Sequence, residues 1–518
     1  MPPCVGTETD PLLPSPATDS QHVFNETKPV LEPAVVNSSI AWRPILLINL
    51  LFVLNGLGYF ISVAPQTQLF ENIICDVYYR SGAPQTAPKQ QNPARDPCKI
   101  PAVQEALATI FGFQTFFDGI PGLLLAMPYG VAADKIGRKP VLLLSMAGQL
   151  LAATWVLFVA WNELSLRLVW LSSAFTLIGG GSTVTVAVCM MIVADSTSEE
   201  DRSRLFFVLQ GSFVLMEIIG PPLGSILMAN NVWTPLLLGL ISTGLSTLVV
   251  VLVPETLPTK GQPVSSNSSG PNLLKSWNKP MQTARVWTSH CRKTLQSVLC
   301  ETKVVFLILA FLVADFGRQS LSLLLQYVSE RYNWPIADAS YLLSLRAGAQ
   351  MVYYLFVLPA IDSWLLRKAC WPAKVKDLWL AKVSICLLTI SFVAFAFAPR
   401  VSVIALGLLL YTLGTGFNTF ARSLVSVLVE PNMIGTLYTM ISVMDTLGSL
   451  SAGPLVAEAF KWGVHLGGFW HGLPYMLSFT FCGLGALLMH RIHLRGDIGD
   501  PARDAWLPVS QDDAQIRA

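Results

Sequence analysis

The sequence predicts an all-α polytopic membrane protein, with twelve transmembrane helices in two pseudo-symmetric halves of six. Three observations predict it. Of 518 residues, 53% are hydrophobic and 13% charged, where soluble domains hold about 25% charged residues; mean hydropathy is +0.53. Twelve apolar runs approach the roughly 20 residues a helix needs to cross a bilayer. A hydrophilic stretch between the sixth and seventh runs divides them evenly. The formal net charge is +2, and no basic run interleaves with aromatics, so nucleic acid is not an expected partner. The nine cysteines form no C-x-x-C pair, and the six histidines lie outside the spans or at their ends. No metal, haem or other cofactor is therefore expected.

Residues 1–42 are Pro-rich and polar without an apolar h-region, and read as a disordered cytoplasmic tail. The first span then has to target the chain to the membrane. Spans are expected near 43–64, 105–130, 140–160, 168–194, 204–229 and 233–253, making an N-terminal half over 43–257. Residues 258–302 contain Ser265-Ser266-Asn267-Ser268-Ser269-Gly270 and read as a flexible cytoplasmic linker. The C-terminal half, 303–490, carries spans near 303–328, 339–361, 378–398, 401–428, 434–458 and 469–490, and 491–518 is a second cytoplasmic tail. Cations set the orientation: Lys135, Arg138 and Lys139 in loop 2–3, Arg202 and Arg204 in loop 4–5, Lys275, Lys279, Arg285, Arg292 and Lys293 among those in the linker, and Arg367, Lys368, Lys374 and Lys376 in loop 8–9. The short opposite loops carry few; loop 1–2 breaks the trend with Arg80, Lys89, Arg95 and Lys99, but long loops translocate largely regardless of charge, so both termini are expected to face the cytoplasm. The halves echo one another: Gly179 to Asp195 matches Gly414 to Glu430 at equal spacing, and Gly220-Pro221 has a counterpart in Gly453-Pro454.

The most informative segment is Gly130-Val131-Ala132-Ala133-Asp134-Lys135-Ile136-Gly137-Arg138-Lys139. Gly130 and Gly137 are expected to permit close packing and a sharp turn. Asp134 can cap or pair at a helix end. This G-x-x-x-D-x-x-G-R-K pattern between two spans resembles the loop 2–3 signature of the major facilitator superfamily of transporters. The resemblance implies a fold of two six-helix halves rocking about a central site, and a pairing of Arg138 with Asp195, the carboxylate that ends span 4. Solvated loop charge is the plainer reading of that pair.

Gly220-Pro221-Pro222-Leu223-Gly224, with Gly211 upstream, resembles the span-5 motif of drug:proton antiporters in that superfamily; a generic tightly packed helix is the alternative. The arginine such antiporters carry in span 4 is missing, since Phe175-Thr176 stands in its place. Pro254-Glu255-Thr256 after span 6 matches a tripeptide frequent in the superfamily. Ile74-Cys75-Asp76-Val77-Tyr78-Tyr79, Cys98-Lys99 and Phe117-Asp118-Gly119-Ile120-Pro121-Gly122 are similar to a group of filamentous-fungal facilitators, some of which occur beside natural-product genes. Cys75 and Cys98 both fall in loop 1–2 and are candidates for a disulfide on the oxidising side, against two free thiols.

Ionisable residues at membrane depth form the chemically interesting set. Asp118, Glu217, Asp315 and Asp445 lie roughly 11–14 residues into their spans, near the midplane at about 1.5 Å per residue. Arg318 and Arg346 lie nearer the external face. A charge there costs at least about 2.5 kcal/mol and faces a cavity or a partner. Asp315 and Arg318, as i,i+3 neighbours, are candidates to neutralise one another, whereas Asp118 and Glu217 have no arginine in their own helices. The arginines suit an anionic or phenolic compound unless they are already paired. Glu8-Thr9-Asp10-Pro11-Leu12-Leu13 fits an acidic dileucine sorting signal, and the sequons at Asn25, Asn37 and Asn267 are expected to go unused in the cytoplasm.

These readings converge on a monomeric multi-pass transporter of a small organic molecule in the plasma or vacuolar membrane. It is expected to work by alternating access, with protons as coupling partner and efflux by antiport favoured over uptake by symport. A sensor of the same fold is the second reading. A membrane enzyme lacks any cluster with nucleophile or metal spacing.

Overall fold

A computed structural model describes residues 42–81, 96–197, 199–256, 302–367, 373–428 and 434–491. The two tails, most of the linker, the dileucine pattern and the three sequons lie outside them. The described residues are helical, without a strand. Twelve helical units follow in order. In the first half they are α1 (Trp42–Arg80), α2 (Pro101–Ile136), α3 (Arg138–Trp161), α4 (Leu166–Asp195), α5 (Glu199–Met228) and α6 (Trp233–Leu252). In the second half they are α7 (302–332), α8 (336–367), α9 (Ala373–Phe397), α10 (401–428), α11 (Ile434–Leu466) and α12 (Gly468–Arg491). Pro101 opens α2, where its missing N–H costs nothing. Asn333, left-handed at φ 55°, ends α7, and Gly467, at φ 68°, follows α11.

Packing repeats six helices on. The pairs α1–α5, α1–α6 and α3–α6 recur as α7–α11, α7–α12 and α9–α12, and α3–α4 recurs as α9–α10. The halves meet along two seams, α2 with α11 and α5 with α8. Glycines set the closest approaches. A Cβ on Gly112 would lie 2.9 Å from the Gly453 carbonyl, and one on Gly453 would lie 2.7 Å from the Gly112 carbonyl. Within the first half, a Cβ on Gly220 would lie 2.5 Å from Phe60 Cβ, and one on Gly224 would collide with the Ile61 carbonyl. The span-5 motif therefore holds α5 against α1. Gly211 and Gly130 depart from expectation: nothing lies within 4 Å of a Cβ built on either. They leave open space rather than allow contact.

Three spans differ from their predicted form. Span 1 was expected to end near residue 64, but α1 continues through Pro65 to Arg80. Cys75 thus sits on helix rather than loop. Its Sγ lies 2.02 Å from that of Cys98, with the Cα atoms 5.4 Å apart, within ordinary bridge geometry. Buried Glu71, on the same extension, takes a 2.5 Å hydrogen bond from Gln104 Nε2 of α2. Span 11 likewise runs on, to Leu466. Span 4 is not continuous: α4 breaks after Thr176, and Gly179, Gly180 and Gly181 take φ of 94°, 79° and 68°. Only glycine adopts that run without strain. Tyr129 of α2 serves the freed backbone, its hydroxyl accepting from Gly179 N–H at 2.9 Å and donating to the Leu177 carbonyl at 3.2 Å. The matching region of α10 is interrupted at Thr415, where the Tyr354 hydroxyl lies 3.4 Å from Thr415 Oγ1.

Gly224→Leu forces α1 and α5 apart. Overpacking of this kind costs about 1–3 kcal/mol, so its melting temperature in detergent falls, whereas Gly211→Leu melts like the parent. Equal melting of the two variants would refute the packing assignment. Peptide mapping without reductant is expected to recover the Cys75–Cys98 crosslink; alkylation of both thiols in the native protein would exclude the bridge.

Candidate functional site: ion pairs at mid-membrane and the loop 2–3 cluster

The two predicted midplane carboxylates of the first half have different surroundings. Glu217 lies on α5 one turn before Gly220-Pro221. Among the described residues its salt-bridge partner comes from the other half: the Arg346 guanidinium of α8 pairs with Glu217 Oε1, and both side chains are largely buried. Glu217 has no arginine on its own helix, but the α5–α8 seam supplies one. Arg346 is thus engaged by protein and is not a vacant anion site. Asp118 on α2 has, among the described residues, only neutral donors. Ser173 Oγ donates to Asp118 Oδ1, and Gln114 is a second hydrogen-bond donor to the carboxylate. Asp118 is exposed to the cavity that its helix lines. Tyr59 of α1 lies within electrostatic reach of both Asp118 and Arg346, which makes it a fourth member of the group.

The second half has its own pair. Asp445 Oδ2 on α11 accepts from Arg422 Nη2 of α10 at 2.8 Å, with Arg318 of α7 also within electrostatic reach. Arg422 further sits 5.9 Å from the Phe311 ring centroid, within cation–π range. The side chain of Asp315 lies outside the described set, so its pairing with Arg318 is not part of this geometry. Sequence reasoning missed Arg422 and Tyr59. Arg422 carried a usable signal, being a cation within an apolar run.

The halves are further joined toward the end that carries loop 1–2. His465 Nε2 of α11 lies 2.7 Å from Glu105 Oε1 of α2. Lys99 Nζ donates to the Trp334 carbonyl at 2.5 Å, and Ser225 Oγ lies 2.5 Å from Ser340 Oγ. Toward the loop 2–3 end, a Cβ on Gly130, Gly211 or Gly348 would meet nothing within 4 Å. The arrangement is closed at the loop 1–2 end.

At the loop 2–3 end, Arg138 joins three helices. Its Nε donates to Asp195 Oδ2 at 3.2 Å, and its Nη1 pairs with Asp134. Gly137, at φ 124°, makes the turn between α2 and α3. A Cβ there would collide with the Glu255 carboxylate. Glu255, just after α6, accepts from the backbone N–H of Arg138 at 2.8 Å and of Lys139 at 3.1 Å. It thus caps the N-terminus of α3, where unpaired N–H groups and the helix dipole favour an anion. Lys139 Nζ donates to the Val251 carbonyl at 2.6 Å. Sequence reasoning noticed Pro254-Glu255-Thr256 but assigned Glu255 no role. Asp134, Arg138 and Asp195 all belong to the first half, so the triad by itself ties α2, α3 and α4 together. Among the described residues, no group of three or more His, Cys, Asp or Glu could hold a metal.

Arg138→Ala removes the guanidinium's bonds to Asp134, Asp195 and Met191 Sδ and leaves the α3 cap in place. Transport is expected to fall about tenfold, the equivalent of about 1.4 kcal/mol, with membrane insertion unchanged. Wild-type flux in that variant would show that the triad has no part in the cycle.

The sequence and fold both have known counterparts. Residues 100–454 match the family model described as Major Facilitator Superfamily. The chain is 34% identical to the MFS efflux pump atnC of Emericella nidulans, over 93% of this chain and 92% of that one. It is 32% identical to the efflux pump ustT of Aspergillus flavus, over 81% and 82%. In three dimensions it resembles the human organic anion transporter MFSD10, with a TM-score of 0.55 at 17% identity, covering 86% of this chain and 99% of that one. A family model spanning most of the chain, two full-length relatives and twelve helices in two like halves lead to one conclusion: this chain belongs to the major facilitator superfamily.

Proposed function

We propose that this transporter exports a small organic molecule in exchange for protons. The observation that carries the reading is the Arg346–Glu217 pair across the α5–α8 seam, beside an Asp118 held by neutral donors alone. A buried pair resists the loss of one partner, at about 3–5 kcal/mol when a side chain is removed. A proton on Glu217 discharges the pair and loosens the seam. A proton on Asp118 removes a charge that no cation compensates. Each event alters the balance between the two ends of the transporter, which is the requirement for coupling. Fungal efflux pumps among the relatives support export over uptake. The cationic loop 2–3 is assigned to the cytoplasm with both termini, in the plasma or vacuolar membrane. In this reading the Asp134–Arg138–Asp195 triad is a latch that keeps the loop 2–3 end of the first half rigid as the halves rock.

Comparing exported metabolites with and without the protein identifies the cargo. Sealed vesicles with an imposed pH gradient then test coupling. Asp118→Asn and Glu217→Gln keep size and hydrogen bonding but cannot titrate. In at least one of them, exchange of the cargo is expected to survive while pH-driven accumulation is lost. If both respond to the gradient as the parent does, neither carboxylate couples, and Asp315 or Asp445 takes their place.

A further inference from the structure

The first half carries an open-sided cavity of about 660 Å³, within the range of small-molecule sites. Its lining comes from α1 through α6 and includes no residue of the second half. The break in α4 opens it: Thr176, Gly180 and Gly181 form part of its wall, while small residues such as Ala152 and Ala153 of α3 leave its far side unfilled.

The chemistry of this wall is one-sided. Among the described residues, Asp118 is its only charged side chain, and no lysine, arginine or histidine lines it. Gln114, which donates to Asp118, has an Oε1 with no hydrogen-bond partner. Gln149 is already committed, its Nε2 donating to Thr185 at 2.7 Å. Aromatic rings stand nearby, with Phe60 and Phe213 edge to face at 5.2 Å. An anion meets a carboxylate here with no cation to offset it. An ammonium meets an opposite charge here, in a wall that also carries the rings of Phe60 and Phe213.

We propose that the first half alone seats the amine-bearing end of the cargo, with its ammonium on Asp118 and its apolar body running between α1, α3 and α6. This rests on the transporter reading above for the identity of the ligand as cargo. It departs from the anionic class that the arginines suggested, because Arg346 is held by Glu217.

Full-length protein in lipid nanodiscs is titrated with three dansyl probes that differ only in a terminal amine, neutral amide or carboxylate. Dansyl fluorescence is expected to report the amine bound about tenfold or more tighter than the carboxylate, and Asp118→Asn to abolish that preference. Ala153→Phe, filling the cavity from α3, is expected to weaken amine binding. Should that variant fail to fold, Ala153→Cys supplies the readout: the amine probe should slow its alkylation by a small maleimide, read by peptide mass. Equal affinity for amine and carboxylate, or alkylation indifferent to the amine, overturns the proposal. Proton-driven export by a protein that shows no amine preference would overturn this pocket and leave the exchange reading standing; a seated amine without pH-driven flux would do the reverse.

Discussion

Inside a bilayer no water is available to hydrate a carboxylate or a peptide group, and that constraint organises the molecule. Several polar groups found at depth are answered from another helix. Glu217 on α5 receives Arg346 from α8, and Asp445 on α11 receives Arg422 from α10. The interrupted backbone of α4 receives the Tyr129 hydroxyl. In each case the partner is supplied by the tertiary fold, so the polar residues at depth also fix which helices must be neighbours. Asp118 is the instructive departure, a carboxylate served only by neutral donors and open to a cavity.

The span pattern was legible because the membrane forces it into the composition. Apolar runs placed all twelve helices. What was not legible has physical reasons. The extension of α1 beyond residue 64 carries Glu71, Asn72 and Asp76 and reads as loop. It is helical where Gln104 answers Glu71 and where Cys98 lies against Cys75. The partner of Glu217 sits in the other half, beyond the reach of helical spacing. The three successive glycines at 179–181 were a visible signal for the break in α4, masked by the apolar residues around them.

The glycines separate motif from mechanism. Gly137, Gly220 and Gly224 each stand where a side chain would strike a neighbour. Gly130 and Gly211 belong to the same recognisable patterns yet face open space. A pattern in one sequence records which residue is present; only the packing tells which of two opposite uses, contact or clearance, the residue serves. The Glu255 cap makes a related point. A carboxylate after α6 completes the turn that Gly137 begins, so the loop 2–3 signature is built in part from a segment far along the chain.

The Gly112–Gly453 contact has a consequence for the speed of the cycle. Where the α2–α11 seam is tightest, backbone faces backbone, and neither glycine brings a side chain whose rotamers must be frozen when the seam shuts or released when it parts. Closure at that point therefore carries little side-chain entropy in either direction. Small residues also allow the helices to slide before they separate, without lifting over an interdigitated ridge.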